Sequence, residues 1–206
     1  MRRKAPPEIP GSTSGARLVA GVDEAGRGPL AGPVVVAAVI LPEPNSIDGL
    51  DDSKRLPRQE RERLAALIER QALCRAVVAV DVAEIDELNI LAATLTGMRR
   101  AVEGLSRRPG LVMVDGNRAP EIGCEVHTVI GGDRWVPSIS AASILAKVYR
   151  DALMLVYHER WPDYGFDRHK GYPTPEHLQR LRQHGPCPIH RRSFAPVRAV
   201  LEPSLF

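Results

Sequence analysis

Aromatic side chains are scarce in this chain, at 4% of 206 residues. Any core must therefore rest on Val, Leu, Ile and Ala, which a hydrophobic content of 44% supplies. Cysteine is scarcer still: Cys74, Cys124 and Cys187 are odd in number and far apart. They form neither a disulfide framework nor a CxxC pair, which suits a reducing, cytoplasmic setting. No apolar run is long enough to cross a bilayer; the longest, Pro33 to Leu41, reads as a buried strand. The start of the chain has no signal-peptide apolar stretch. Residues 1–17 carry Arg2, Arg3 and Lys4 ahead of Pro, Gly and Ser, and read as a disordered basic arm. A phosphate loop of the form G-x-x-x-x-G-K-[ST] is missing, as is any internal repeat. The net charge of +3 permits a nucleic-acid partner without demanding one.

What is present alternates between strands and helices. Leu18 to Val22 reads as a strand ending at Asp23, and a glycine turn over 26–32 leads to the strand Pro33–Leu41. The short separation favours an antiparallel hairpin. A polar loop containing "DDSKRL" precedes a helix over 57–71, with Leu64, Leu67 and Ile68 on one face. Cys74 to Val82 is a third strand and 82–105 a helical region. Leu111–Val114 and Glu125–Ile130 are further strands, and 138–160 is a long helix. The expected fold is a mixed α/β sheet flanked by helices, with residues 161–206 as a small helical extension packed on the same domain.

Acidic residues sit where those strands stop. Asp23 and Asp115 each end a strand, and Asp133 follows a third. Ligand sites of α/β sheets collect at strand ends. Clustered carboxylates repel unless a cation lies between them, and their oxygens suit a hard divalent ion, Mg²⁺ or Mn²⁺. Two such ions ~4 Å apart can activate water and stabilise a leaving oxygen in phosphodiester hydrolysis. Glu24 raises a geometric problem, because neighbouring strand residues face opposite ways. Sharing a site with Asp23 requires the strand to break between them, and the loop from Gly26 offers a place for the break.

The stretches "GVDEAGRGPLAGPVV", "LNILAATLTGM", "VMVDGN", "GGDRWVPSISAASILAKVYRD", "YGFDRHKGYPTPEH" and "HRRSF" together resemble bacterial ribonuclease HII, from about Leu18 to Val197. The resemblance implies a ribonuclease H-like fold over 18–160. It also implies a metal-dependent endonuclease that cuts RNA in RNA/DNA hybrids and incises beside single ribonucleotides in duplex DNA. On that pattern Asp23, Glu24, Asp115 and Asp133 are the catalytic, metal-binding carboxylates, with Mn²⁺ or Mg²⁺ as cofactor. The segment Gly26-Arg27-Gly28 would contact the 2′-hydroxyl that separates RNA from DNA. Tyr172 would stack at the junction between ribonucleotide and DNA. Trp135 departs from the pattern, where a smaller residue is expected.

Other candidates combine the resemblance with spacing. Ser140, Ser143, Lys147 and Asp151 recur at three- and four-residue intervals, which puts them on one helix face suited to phosphate contact. Lys54 carries the same expectation from its loop. His169, His177, His184, Cys187 and His190 crowd the tail, but their spacing fits no structural zinc pattern. His169, His184 and His190 are expected to cap helices or to bond phosphate and backbone. The expected whole is a monomer with no membrane and no obligate protein partner. Its rivals are another nuclease or strand-transfer enzyme on this fold, such as a junction resolvase, and a non-catalytic hybrid-binding module.

Overall fold

The computed structural model describes residues 17–202. Most of the basic arm therefore lies outside the described residues; Arg17, at its end, pairs with Glu125 at 2.6 Å. Five strands form one mixed sheet: β1 Val19–Ala25, β2 Val34–Ile40, β3 Cys74–Val80, β4 Leu111–Asp115 and β5 Glu125–Val129. Their spatial order is β3-β2-β1-β4-β5. β1, β2 and β3 are antiparallel neighbours, while β4 and β5 run parallel to β1. The hairpin and the mixed α/β class are as the sequence implied.

Helices cover both faces. Val35, Ala37 and Val39 of β2 pack against α1 Arg58–Gln71 and α4 Pro137–Arg160 on one side. Val36, Ala38 and Ile40 pack on the other side with α3 Ile90–Glu103. The region 82–105 is two helices, α2 Val82–Leu88 and α3. Asn89 separates them at φ 70°, its side chain accepting from the amides of Leu91 and Ala92. An asparagine can take that backbone and cap the next helix at once, which a periodicity of apolar residues does not reveal. The C-terminal extension holds α5 Phe166–His169, α6 Pro175–His184 and α7 Ala195–Leu201. No helix among the described residues is long and apolar enough to cross a membrane.

Two contacts fix the geometry of the strand ends. At Gly21 in β1, a Cβ would lie 2.1 Å from the carbonyl carbon of Ser138 and 2.2 Å from the amide of Ile139. Only glycine lets the first turn of α4 lie directly on β1. The second contact is the long loop between β1 and β2. Leu30 and Gly32 donate to the carbonyls of Gly171 and Ile189, and Arg191 donates back to Leu30, each at 2.8 Å. The extension thus holds the loop that follows the first carboxylates.

Candidate active site

Val22 of β1 pairs with Val114 of β4, so the next residues, Asp23 and Asp115, lie side by side on neighbouring strands. Because paired residues of parallel strands share a face, both carboxylates lie on the side covered by α4. Asp133 arrives from a 3-10 turn, Gly132–Arg134, just before α4. One carboxylate oxygen from each of Asp23, Asp115 and Asp133 lies within 4.8 Å of the others. Three buried or half-buried carboxylates at this spacing are hard oxygen donors that can hold a divalent cation.

The strand does not break between Asp23 and Glu24, contrary to expectation. β1 continues to Ala25, with Asp23 opposite Ala37 and Glu24 opposite Val36. The two side chains therefore start from opposite faces, and Glu24 stands outside the three-carboxylate group. Its oxygen lies 3.5 Å from the Arg27 guanidinium, while its amide donates to Asp23 at 2.7 Å.

Electrostatics agree with the geometry. Burial, then the charges of Glu24 and Asp115, push the Asp23 carboxyl well above the usual carboxylate range. The Ser143 hydroxyl and Glu24 amide oppose that shift only in part. Burial also raises Glu24; Arg27 opposes it and Asp115 adds to it. Asp133 is pushed up to about 6 by burial, Asp115 and Asp52. The upward shifts of Asp23 and Asp133 mark a crowding of like charge that a bound cation would relieve. Asp115 accepts from the Gly132 amide at 2.7 Å, which ties β4 to the turn carrying Asp133.

The sequence singled out Lys54 but missed its neighbours. Asp52 is 3% exposed, accepts from the Lys54 amide at 2.9 Å and pairs with Arg134 at 3.2 Å. Burial works against the charge on Lys54, yet Asp23, Asp52, Asp133 and Asp115 together hold its pKa above the ordinary value. Ser53 hydrogen-bonds Ser143 at 3.0 Å, joining the "DDSK" loop to α4. The only signal in the sequence was that doubled acid beside a lysine.

On α4, Ser140 is buried and donates to the Asp133 carbonyl at 2.7 Å and to Val136 at 3.2 Å. Its hydroxyl braces the turn rather than facing outward. Ser143 is likewise buried, beside Asp23. Lys147 pairs with Asp151 at 2.7 Å, one helical turn on. Gly26 is buried and Arg27 and Gly28 are exposed. A Cβ at Gly28 would lie 3.6 Å from the Tyr172 ring, so loop and tyrosine meet, and Tyr172 is 42% exposed. Gly26 has φ +97°, and a Cβ there would collide with Arg150.

Of the tail histidines, His169, His177 and His190 turn inward, while His184 is exposed. His169 donates to the Tyr164 carbonyl at 2.7 Å, and His177 to the Tyr172 carbonyl at 2.9 Å. His190 bridges His177 at 3.1 Å and accepts from the Cys187 amide at 3.0 Å. Among the described residues they do not gather into a metal-holding group; the carboxylates do.

A family model described as Ribonuclease HII matches residues 20–197. Over 186 residues the chain is 60% identical to a protein named Ribonuclease HII from Bordetella pertussis, covering 90% of this chain and 92% of that one. The solved ribonuclease H2 from Pyrococcus horikoshii OT3 is similar with a TM-score of 0.76 at 30% identity, covering 90% of this chain and 97% of that one. Bst-RNase HIII, solved in complex with Mn²⁺, shares the fold with a TM-score of 0.67 at 19% identity, covering 93% of this chain and 71% of that one.

Proposed function

The chain belongs to the ribonuclease HII family, and from that premise we propose that it incises duplex DNA on the 5′ side of single embedded ribonucleotides. It is a ribonuclease H, an endoribonuclease acting on RNA in RNA/DNA hybrids. The finer activity leaves a 3′-hydroxyl and a 5′-phosphate, in a cytoplasmic enzyme working as a monomer. The observation that carries it is the convergence of Asp23, Asp115 and Asp133 within 4.8 Å, beside a loop whose exposed tip meets Tyr172.

Asp23, Asp115 and Asp133 would hold Mg²⁺ or Mn²⁺, with Glu24 completing the set from the strand's other face. The solved Mn²⁺ complex of Bst-RNase HIII favours Mn²⁺ as one workable ion. When bound, such ions supply a water of lowered pKa and stabilise the leaving oxygen. Every other part falls to the protein. Ser143 and the Glu24 amide orient Asp23, and the Gly132 amide orients Asp115. Ser140 braces the Asp133 turn. Gly26, Arg27 and Gly28 read the ribose 2′-hydroxyl, Tyr172 stacks on the adjoining sugar, and Lys54 and Lys147 meet phosphates.

The test is single-turnover cleavage of a DNA duplex with one ribonucleotide, against an all-DNA control, with product ends mapped. Cleavage 5′ of the ribonucleotide, leaving a 3′-hydroxyl, is expected. Cleavage of both duplexes alike, or only of long hybrids, would refute the ribose-reading assignment.

A further inference from the structure

Arg150 and Arg191 are 1% and 0% exposed, and among the described residues neither pairs with a carboxylate. Burying an uncompensated charge costs several kcal/mol, and an apolar side chain of similar size would fill the same space without that cost. What an apolar chain cannot do is hold carbonyls. Arg150 donates to Pro33, Ala31 and Lys170 at 3.0–3.1 Å. Arg191 donates through Nε to Gly32 and through Nη1 to Arg27, both at 2.9 Å, and through Nη2 to Gly26 at 2.5 Å. One fork therefore holds three carbonyls of a single loop, which a lysine's point charge cannot reproduce.

The consequence follows from peptide geometry. A trans peptide is planar, so its N–H points opposite to its C=O. The carbonyls of Gly26 and Arg27 are drawn inward to Arg191, so the amides of Arg27 and Gly28 are turned outward. Both residues are exposed, and among the described residues neither amide donates to the protein. Gly28 also adjoins the Tyr172 ring. We infer that Arg191 is a positioning residue for ribose recognition, aiming the Arg27 and Gly28 amides at the 2′-hydroxyl from beneath the loop. The inference rests on the ribose-reading role proposed above. It assigns that role's accuracy to a side chain in the extension, far from the carboxylates in sequence.

Arg191→Lys keeps the charge and removes the fork. Its binding to a duplex with one ribonucleotide, and to the matching all-DNA duplex, is measured in EDTA so that no hydrolysis intervenes. The ribonucleotide duplex should bind about tenfold more weakly than to wild type, the loss of roughly one or two hydrogen bonds, while all-DNA binding stays unchanged. A merely structural role would lower both affinities together or neither, and either result overturns the inference. If wild type itself binds the two duplexes equally, the ribose-reading role falls and the inference with it. Should Arg191→Lys not fold, the wild type decides through amide NMR. Resonances of Arg27 and Gly28 must shift with the ribonucleotide duplex and not with all-DNA; no selective shift overturns the inference.

Discussion

Two regions of this molecule bury ionisable side chains, and they resolve the burial in opposite ways. At the strand ends, Asp23, Asp115 and Asp133 present like charges with too few donors between them, and Asp23 and Asp133 are pushed upward. In the extension, the relay through His177 and His190 alternates donors and acceptors without remainder. His177 donates to Tyr172, His190 donates to His177, and the Cys187 amide donates to His190. Burial, with neighbouring imidazoles, holds His177 and His190 down at about 4, so both are neutral. Depth of burial is similar in the two places. What marks the first as a working site is unmet charge, and what marks the second as scaffold is that every ring nitrogen in the relay is already matched.

The sharpest way to break that contrast is to neutralise one acid. Asp115→Asn should lower turnover by on the order of a thousandfold or more, with metal-free stability unchanged or raised because repulsion is relieved. Single-turnover cleavage and urea unfolding measure the two halves; near-normal turnover would remove Asp115 from the site. Tyr172 belongs to both regions, its ring at the loop tip and its carbonyl on His177. Tyr172→Ala should cost about a hundredfold on the single-ribonucleotide duplex, as expected for ~1 Å of misplacement. Tyr172→Phe should keep much of that activity if stacking dominates, and an alanine variant as fast as wild type would confine recognition to the loop.

On the scaffold side, His190→Ala leaves the Cys187 amide and one nitrogen of His177 unmatched. Urea unfolding should show a loss of about 1–3 kcal/mol, with turnover of the folded fraction falling less than in Tyr172→Ala. A turnover loss as large as that of Asp115→Asn would erase the distinction between the regions.

The smallest effect is one of pH, and it carries opposite signs. Asp133 titrates near 6 folded against an ordinary 3.8. Between those values the folded chain keeps a proton the unfolded chain has lost, so metal-free stability falls as pH rises. His177 and His190 titrate near 4 against an ordinary 6.5. There the unfolded chain holds the extra protons, so stability rises with pH over that window. The raised carboxyls, Asp133 with Asp23 and Glu24, oppose the two histidines, so the wild-type profile should be flatter than either set alone would make it. Asp133→Asn should leave a net rise with pH; His177→Gln with His190→Gln should leave a net fall. Parallel profiles for all three proteins would contradict the opposed shifts.

The sequence made the sheet legible because strands ending in acids are a local pattern. Asp23, Asp115 and Asp133 could be paired as candidates without knowing the strand order. Glu24 could not be placed, since whether β1 stops at Val22 or continues to Ala25 depends on pairing with β2, a tertiary matter. Asp52 and Ser53 sit in an aperiodic loop whose meaning comes from Arg134 and Ser143, some eighty to ninety residues away. Arg150 and Arg191 were hidden for a different reason. Arginine reads as surface or phosphate-facing, and only the fold turns these two toward carbonyls.

Gly21 has a further consequence. The distance between the strand that ends in Asp23 and the turn that carries Asp133 is set where α4 rests on β1, with no atom to spare at that glycine. A single methyl group added there acts as a shim. It lifts the start of α4, and with it Ser140 and the Asp133 turn it braces, away from the sheet. The calibration of the carboxylate triangle is thus set two residues upstream of Asp23, by a position that has no side chain and offers nothing for a ligand to touch.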